Sequence, residues 1–410
     1  MMEKTPKSMR LHIGLFGRTN VGKSTFLNLV AGQDVAIVSP QAGTTTDPVE
    51  KVMELLPIGP VVFTDTGGVD DATELGDKRR EKMFAALRRM DLAVLMVEPE
   101  TWTKHEDRLL REIQAAGRPH LIVVGKTDLR EPSAAFLAKM RALAPHVVES
   151  DATPGQRDRV VNAFKTALGQ LAPDGVLQVS DLFGGAVPPG GVALLIIPVD
   201  MEAPKGRLIL PQAQAVRAAL DLGSVAVVAR ETEYLAALAK LSAPPDLVVC
   251  DSQVVDRMVA ETPATVRCTT FSILLARLKG DLPAMVKAAR IIDDLQDGDR
   301  ILIGEACSHH ALEDDIGRKK IPRWLREKTG KTLQIDVVAG RDWPADLEKY
   351  RLAIHCGGCM ITRREMLYRL QTAGGRGVPM TNYGVAISYL KGVLPRVLEP
   401  FPDAAAALEA

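Results

Sequence analysis

Short apolar runs at residues 11–16, 61–64, 92–97 and 121–124 alternate with longer stretches of helical periodicity in the first part of the chain. Uninterrupted apolar runs of this length read as strands buried on both faces, and strands spaced by helices predict a parallel sheet. A Pro- and Gly-rich break follows from 172 to 191, including Val187-Pro-Pro-Gly-Gly191, and reads as a linker. Beyond it, runs at 192–197, 225–229 and 247–249 alternate with helix-like stretches starting at Pro211, Glu231 and Ser252, which predicts a second, smaller α/β unit. The third segment opens with an amphipathic stretch at 281–295 and a strand at 300–305. A basic helix near 318–328 and a final strand running into His355 complete it. The expected fold class is therefore α/β throughout, with domains at 1–172, 180–268 and 271–400. No internal repeat or low-complexity tract is evident apart from an Ala-rich tail at 404–410.

At 410 residues the chain has room for roughly two to four domains, each large enough for its own core. Lys plus Arg (51) equals Asp plus Glu (51) and aromatics are 4%, so neither a phosphate-tracking surface nor a base-stacking platform is indicated. No nucleic-acid partner is expected. No apolar run nears the roughly 20 residues of a membrane span, and the first ten residues lack a secretory apolar segment. A cytoplasmic location without membrane attachment is the expectation. Five cysteines in such a chain fit reduced thiols or metal ligands better than a disulfide framework. Cys250 and Cys268, at the ends of strand-like runs, read as small buried hydrophobes.

Gly17-Arg-Thr-Asn-Val-Gly22-Lys23-Ser24 matches G-x-x-x-x-G-K-[ST], directly after one predicted strand and before a predicted helix beginning at Thr25. Its glycines let backbone N–H groups approach phosphates at a helix N-terminus. Lys23 can neutralise β/γ oxygens and Ser24 can offer a hydroxyl to Mg2+. Asp65-Thr-Gly-Gly68 follows a predicted strand and can bring a carboxylate towards magnesium and a backbone N–H to the γ-phosphate. Gly43-Thr44-Thr45-Thr46-Asp47 lies between them in a polar loop, and Gly125-Lys126-Thr127-Asp128 follows the fourth strand with a carboxylate able to accept guanine donors.

In order and spacing these motifs resemble the Era/TrmE-like branch of translation-factor-class GTPases, over roughly the first 170 residues. The resemblance implies a P-loop GTPase domain binding GTP/GDP, in which Lys23, Ser24, Thr45 and Asp65 serve phosphate and magnesium. Gly17, Gly22 and Thr25 then lie along the nucleotide, while Lys126, Asp128 and Ala152 serve guanine. Asn20 matches the asparagine with which potassium-activated members hold K+. Three departures stand out. Gly125 replaces the asparagine that braces the phosphate loop, Thr46 stands where arginine is frequent, and Asp151-Ala152 replaces Ser-Ala in the last guanine loop. Val69 follows Gly68 where Ras-like proteins carry a water-orienting glutamine, so slow hydrolysis stimulated by potassium is expected.

Near the C-terminus stand Cys307-Ser-His309 and His355-Cys356-Gly-Gly-Cys359. Thiolates are soft ligands for iron–sulfur clusters or zinc, and three of them leave one metal position for a weaker ligand. Residue chemistry leaves a cluster, a Cys₃His zinc site and a C-x-x-C redox pair open. The Cys-x-His and His-Cys-x-x-Cys pattern behind this GTPase domain resembles the HydF-type [FeFe]-hydrogenase maturation GTPases. So do Ala203-Pro-Lys-Gly-Arg-Leu-Ile-Leu-Pro211, Ile316-Gly-Arg-Lys-Lys-Ile-Pro322 and Thr381-Asn-Tyr-Gly384. That resemblance implies a [4Fe-4S] cluster on Cys307, Cys356 and Cys359. His309 and His355 are then candidates for the fourth iron position or for hydrogen-bonding a sulfur. It also implies dimerisation through the middle domain and carriage of a transient two-iron subcluster precursor to apo [FeFe]-hydrogenase, with radical-SAM maturases making the precursor. The chain has no C-x-x-x-C-x-x-C triplet for radical chemistry of its own. The rival reading is a GTPase with a structural zinc domain acting in ribosome or RNA assembly, which the neutral charge and scarce aromatics disfavour. A small-molecule metalloenzyme lacks any acid/base constellation beside the cysteines.

Overall fold

The computed structural model describes residues 7–32, 49–66, 87, 89–153, 155–172, 181–199, 208–306, 315–340, 343–344 and 346–409. They fall into two compact units, Met1–Gln178 and Val179–Ala410. The first holds β1 (Leu11–Phe16), β2 (Val49–Leu55), β3 (Gly59–Asp65), β4 (Leu92–Val97), β5 (His120–Val124) and β6 (Val147–Glu149) in the order β2-β3-β1-β4-β5-β6. All neighbours are parallel except β2, which runs antiparallel to β3. The apolar runs are continuous because both faces are covered. Leu92, Val94 and Met96 pack on one side with Phe26 and Phe164, while Ala93, Leu95 and Val97 pack on the other with Leu109 and Phe136. Periodicity missed β2 because Val49-Glu-Lys-Val-Met-Glu-Leu55 mixes polar and apolar positions, as an edge strand does, and Val52 is exposed.

The second unit holds two sheets. The first contains β7 (Val192–Ile196), β8 (Val225–Ala229), β9 (Leu247–Cys250) and β10 (Arg267–Thr270) in the order β10-β9-β7-β8. The second contains β11 (Arg300–Glu305), β12 (Gln334–Ala339), β13 (Leu352–His355) and β14 (Met380–Asn382) in the order β12-β11-β13-β14. All their pairings are parallel. In each sheet the first strand is joined on one side by the second, on the other by the third, and the fourth lies beyond the third. The topology repeats although the sequence shows no repeat. One apolar core runs through both sheets, from Leu194 and Val248 to Ile303 and Ile354.

The strand into His355 is therefore not the last. β14 follows it, only three residues long, which is too short for a periodicity signal. Both fourth strands turn directly into a helix capped by the strand's own last residue. Thr270 Oγ1 accepts from Ile273 N at 3.2 Å and Asn382 Oδ1 from Val385 N at 2.9 Å. The Pro/Gly stretch read as a linker carries Leu182, Phe183, Ala186 and Val187 into this core. Among the described residues no helix is long and apolar enough to cross a membrane.

Candidate functional site

In the first unit the sheet order reverses around β1, and a ligand crevice is expected at the carboxyl ends of strands at such a point. The phosphate loop leaves β1 there. Gly17 (φ +142°) lies so close to β4 that an added Cβ would meet the Met96 carbonyl at 2.5 Å, so this position requires glycine. Asn20 also has positive φ, at 62°, and is exposed. The helix Lys23–Ala31 starts at Gly22. Lys23 is buried and folds over its own loop, its Nζ donating to the carbonyls of Gly17 (3.0 Å) and Arg18 (2.7 Å). Ser24 and Thr25 are exposed at the same end. Leu15 pairs with Asp65, which ends β3 beside the loop. Arg18 ties the loop to Glu106, its Nε donating at 2.6 Å.

The guanine motif and the last loop leave neighbouring strands, since Val124 of β5 pairs with Glu149 of β6. Lys126 forms an ion pair with Glu98, Asp128 is exposed, and Ala152 is exposed beside Asp151. The Asp151 carboxylate accepts from Thr153 N at 2.7 Å, and bonds from Thr153 hold its pKa below the usual range. A Cβ on Gly125 would sit 3.1 Å from the Val21 carbonyl, so residue 125 faces the phosphate loop. Thr45, Thr46, Gly68 and Val69 lie outside the described residues.

The third sheet reverses its order at β11, between β12 and β13. The sequence puts Cys307 two residues past the end of β11, while Cys356 directly follows β13. Cys307 and His309 lie outside the described residues, and among those described no three His, Cys, Asp or Glu side chains converge. The described half of the set is closely organised. Cys356 N donates to the Gly304 carbonyl at 2.8 Å, and Ala306 N donates to Cys356 Sγ at 3.1 Å. Gly358 (φ 65°) turns the chain back to Cys359. Lys279, only 4% exposed, enters from the preceding sheet's last helix, and its Nζ donates to the carbonyls of Gly358 (2.9 Å), Cys359 (3.1 Å) and Ile361 (2.8 Å).

Burial pushes the Lys279 ammonium down to about 8, with Cys359 and Cys356 pulling it back up. Burial also raises the Cys359 thiol, opposed by Lys279 and by the N–H groups of Cys359 and Met360. Both shifts reflect charged forms held out of water, and a metal cation on the sulfur would hold the thiolate instead.

His355 is fully buried with both ring nitrogens engaged. Nδ1 lies 2.7 Å from the Cys356 carbonyl, and Nε2 lies 3.0 Å from Arg369 Nη1. Arg369 can only donate, so Nε2 accepts and the proton sits on Nδ1. Burial and then Arg369 push the imidazole down to about 4, against the Cys356 bond, so it is neutral at pH 7. Arg369 also pairs with Glu365 (2.9 Å) and donates to the Gly340 carbonyl (2.9 Å). To bind a metal through Nε2, His355 would have to exchange its Arg369 bond. Sequence reasoning missed Lys279 and Arg369, since neither is near a cysteine in the chain. The helix Phe271–Lys279 also carries Ser272 and Arg277, so its last lysine gave no local signal.

A phosphate loop after β1, a carboxylate ending the adjacent strand and a guanine motif after β5 define the class: a P-loop GTPase domain, here followed by two smaller α/β domains. Residues 12–126 match the family described as 50S ribosome-binding GTPase. Residues 182–280 match the Hydrogen maturase F dimerization domain and 283–400 the Hydrogen maturase F tetramerization domain. The two maturase matches together take in more than half of the chain, which belongs to the HydF-type hydrogenase-maturation GTPases. It carries a GTP-hydrolysing domain and domains of self-associating families.

Over 123 residues the chain is 40% identical to the tRNA modification GTPase MnmE of Herminiimonas arsenicoxydans, covering 29% of this chain and 26% of that protein. It thus spans about a quarter of that curated relative's length. Among solved structures, Aquifex aeolicus Era bound to GDP·AlF4− is 21% identical, over 53% of this chain and 92% of that one, with a TM-score of 0.34. The G domain of the T. maritima FeoB iron transporter is 18% identical, over 40% and 98%, with a TM-score of 0.31.

Proposed function

We propose that this protein is a GTP-dependent scaffold and carrier. It holds a [4Fe-4S] cluster on Cys307, Cys356 and Cys359, accepts a two-iron precursor made by radical-SAM maturases, and delivers that cargo to apo [FeFe]-hydrogenase. The supporting observation is the pair of cysteine segments leaving neighbouring parallel strands, β11 and β13, at the point where the sheet order reverses, in a chain of this family. The donor chemistry fits: soft sulfurs, an N–H aimed at Cys356 Sγ, and a glycine turn clamped from below. When bound, such a cluster offers one iron whose remaining ligand can be replaced. His309 is the candidate for that position. His355 instead fixes the Cys356 carbonyl through its Nδ1–H.

In the nucleotide half, Gly17, Gly22, Lys23, Ser24 and Thr25 bind phosphates, Ser24 and Thr45 hold Mg2+, and Asp65 and Gly68 meet the metal and γ-phosphate. Lys126, Asp128 and Ala152 bind guanine, and Asn20 holds K+. The γ-phosphate orders residues 44–47 and the segment after Gly68, and that switch biases partner docking. Self-association uses the β8 edge, where Val225 and Val228 are exposed within the dimerization-domain match.

Anaerobic purification and reconstitution, with iron, sulfide and zinc analysis of the parent and Cys356→Ala, tests the reading. About four irons and four sulfides in the parent, lost in the variant, are expected. One zinc and no iron would sink it in favour of a structural-zinc GTPase. Hydrolysis at equal rates in sodium and potassium would remove the Asn20 assignment.

A further inference from the structure

Lys279 belongs to the helix Phe271–Lys279, which follows the last strand of the middle sheet, yet its ammonium serves the cysteine loop of the next sheet. An ammonium has three N–H donors, and here all three meet carbonyls of that loop: Gly358, Cys359 and Ile361, at 2.8 to 3.1 Å. Among the described residues no carboxylate shares it. A lysine buried to 4% exposure loses its hydration, and the three inward carbonyl dipoles replace it. The same helix supports the loop elsewhere. A Cβ on Gly357 would lie 3.4 Å from Leu275 and 3.5 Å from Ser272, and Arg363 Nε donates to the Leu278 carbonyl at 3.1 Å just past the turn. With the loop carbonyls drawn towards Nζ, the amides of Cys359 and Met360 are left to face the Cys359 sulfur.

We infer that Lys279 is the positioning residue of the Cys356–Cys359 turn. It fixes the two sulfurs before any metal arrives, and it makes the middle domain a structural part of the thiolate site. This deepens the cluster reading above and rests on it for its purpose, but the geometry it predicts exists in the metal-free chain.

The test uses the full chain as parent, Lys279→Met and Lys279→Arg. In metal-free protein, hydrogen exchange of amides 357–361 and cross-linking of Cys356 to Cys359 by dibromobimane are followed. After anaerobic reconstitution, the reduction potential is measured. Lys279→Met keeps the side chain's length but no donor or charge. Its loop amides should exchange at least about tenfold faster while those of β1 and β4 stay unchanged, and the cross-linking yield should fall. Its cluster potential should move negative because a cation beside the sulfurs is gone, and Lys279→Arg should return both quantities towards the parent. Parent-like exchange and cross-linking in Lys279→Met overturn the inference, even if iron is lost. Should Lys279→Met not fold, Lys279→Arg decides: protection of the loop supports the inference, and a loop tenfold looser in a folded protein overturns it. A parent that takes up no iron defeats the cluster reading and leaves the exchange result standing.

Discussion

The two sheets of the second unit share one topology, and in each a cysteine stands at or just past the end of the third strand, yet Cys250 is fully buried and Cys356 is partly exposed. Cys250 is the last residue of β9 and pairs with Ile196; Asp251 N then donates to the Ile196 carbonyl at 3.3 Å. In the other sheet His355 takes the last paired place, opposite Gly304, and it is Cys356 whose N donates to the Gly304 carbonyl, at 2.8 Å. The cysteines are thus offset by one residue. Side chains alternate between faces along a strand, so one step decides whether a thiol points into the core or onto the crest. Cys250 is fully buried, and burial drives its thiol well above the usual range. The continuations differ too. A tight turn at Ser252–Val254 and the helix Val255–Glu261 close the crest of β9 at once, whereas Gly357 and Gly358 let the chain return to Cys359. The proposed thiolate site combines the offset, the glycine turn and the Lys279 clamp, and among the described residues the β9 crest combines none of these.

The strongest way to break that contrast is to remove what holds the crest of β13. Arg369→Ala removes the buried ion pair with Glu365 and the donor to His355 Nε2, and is expected to cost about 3–5 kcal/mol. Urea unfolding of the second unit measures it, and a loss below about 1 kcal/mol would show that the network is not what fixes the strand end.

His355 predicts a pH effect of comparable kind. Its folded pKa, about 4, lies below the ordinary value of 6.5, so the unfolded chain binds the proton first as pH falls. Stability is then complete above about pH 6.5 and declines towards pH 4, by roughly 3 kcal/mol at most. His355→Gln should flatten that window; an unchanged slope would assign it to other groups.

The cysteines themselves sharpen the comparison. Cys250→Ala should cost about 1 kcal/mol through the small cavity it leaves, with metal content unchanged. Alkylation of native metal-free protein at pH 8 should spare Cys250 and Cys268, whose thiol burial pushes up to about 11, and reach the partly exposed Cys356. Labelling of Cys250 before Cys356 would invert the assignment.

The smallest effect on folding belongs to the sheet edges. Val228→Lys on β8 is exposed and should change stability by less than about 0.5 kcal/mol while weakening self-association in sedimentation experiments. A parent-like oligomer would move the interface elsewhere.

Much of this was legible without coordinates. The strands β1, β3, β4, β5, β7 and β9 stood out because burial on both faces leaves unbroken apolar runs, and β8 stood out by its apolar run although Val225 and Val228 are exposed. The edge strand β2 and the short β6 and β14 were not, since an edge mixes polarity and three residues carry no period. For the candidate site, every residue of the phosphate and guanine motifs was in view, because their function depends on local spacing. The clamp from Lys279 and the Arg369–His355 contact were hidden. They join residues 79 to 82 and 14 positions apart, and nothing local marks either pair.

The sequence by itself determined the GTPase class and singled out the cysteines proposed here as ligands, since phosphate loops and Cys-x-x-Cys turns are written in consecutive residues whose backbone and side-chain chemistry act locally. Only the tertiary structure decided that the second unit repeats one sheet topology, and that a one-residue offset against the neighbouring strand separates Cys250 from Cys356. It alone also assigned a lysine of the middle domain to the cysteine turn. Those outcomes depend on strand order, on register and on which carbonyls a buried ammonium reaches, and long-range packing sets all three.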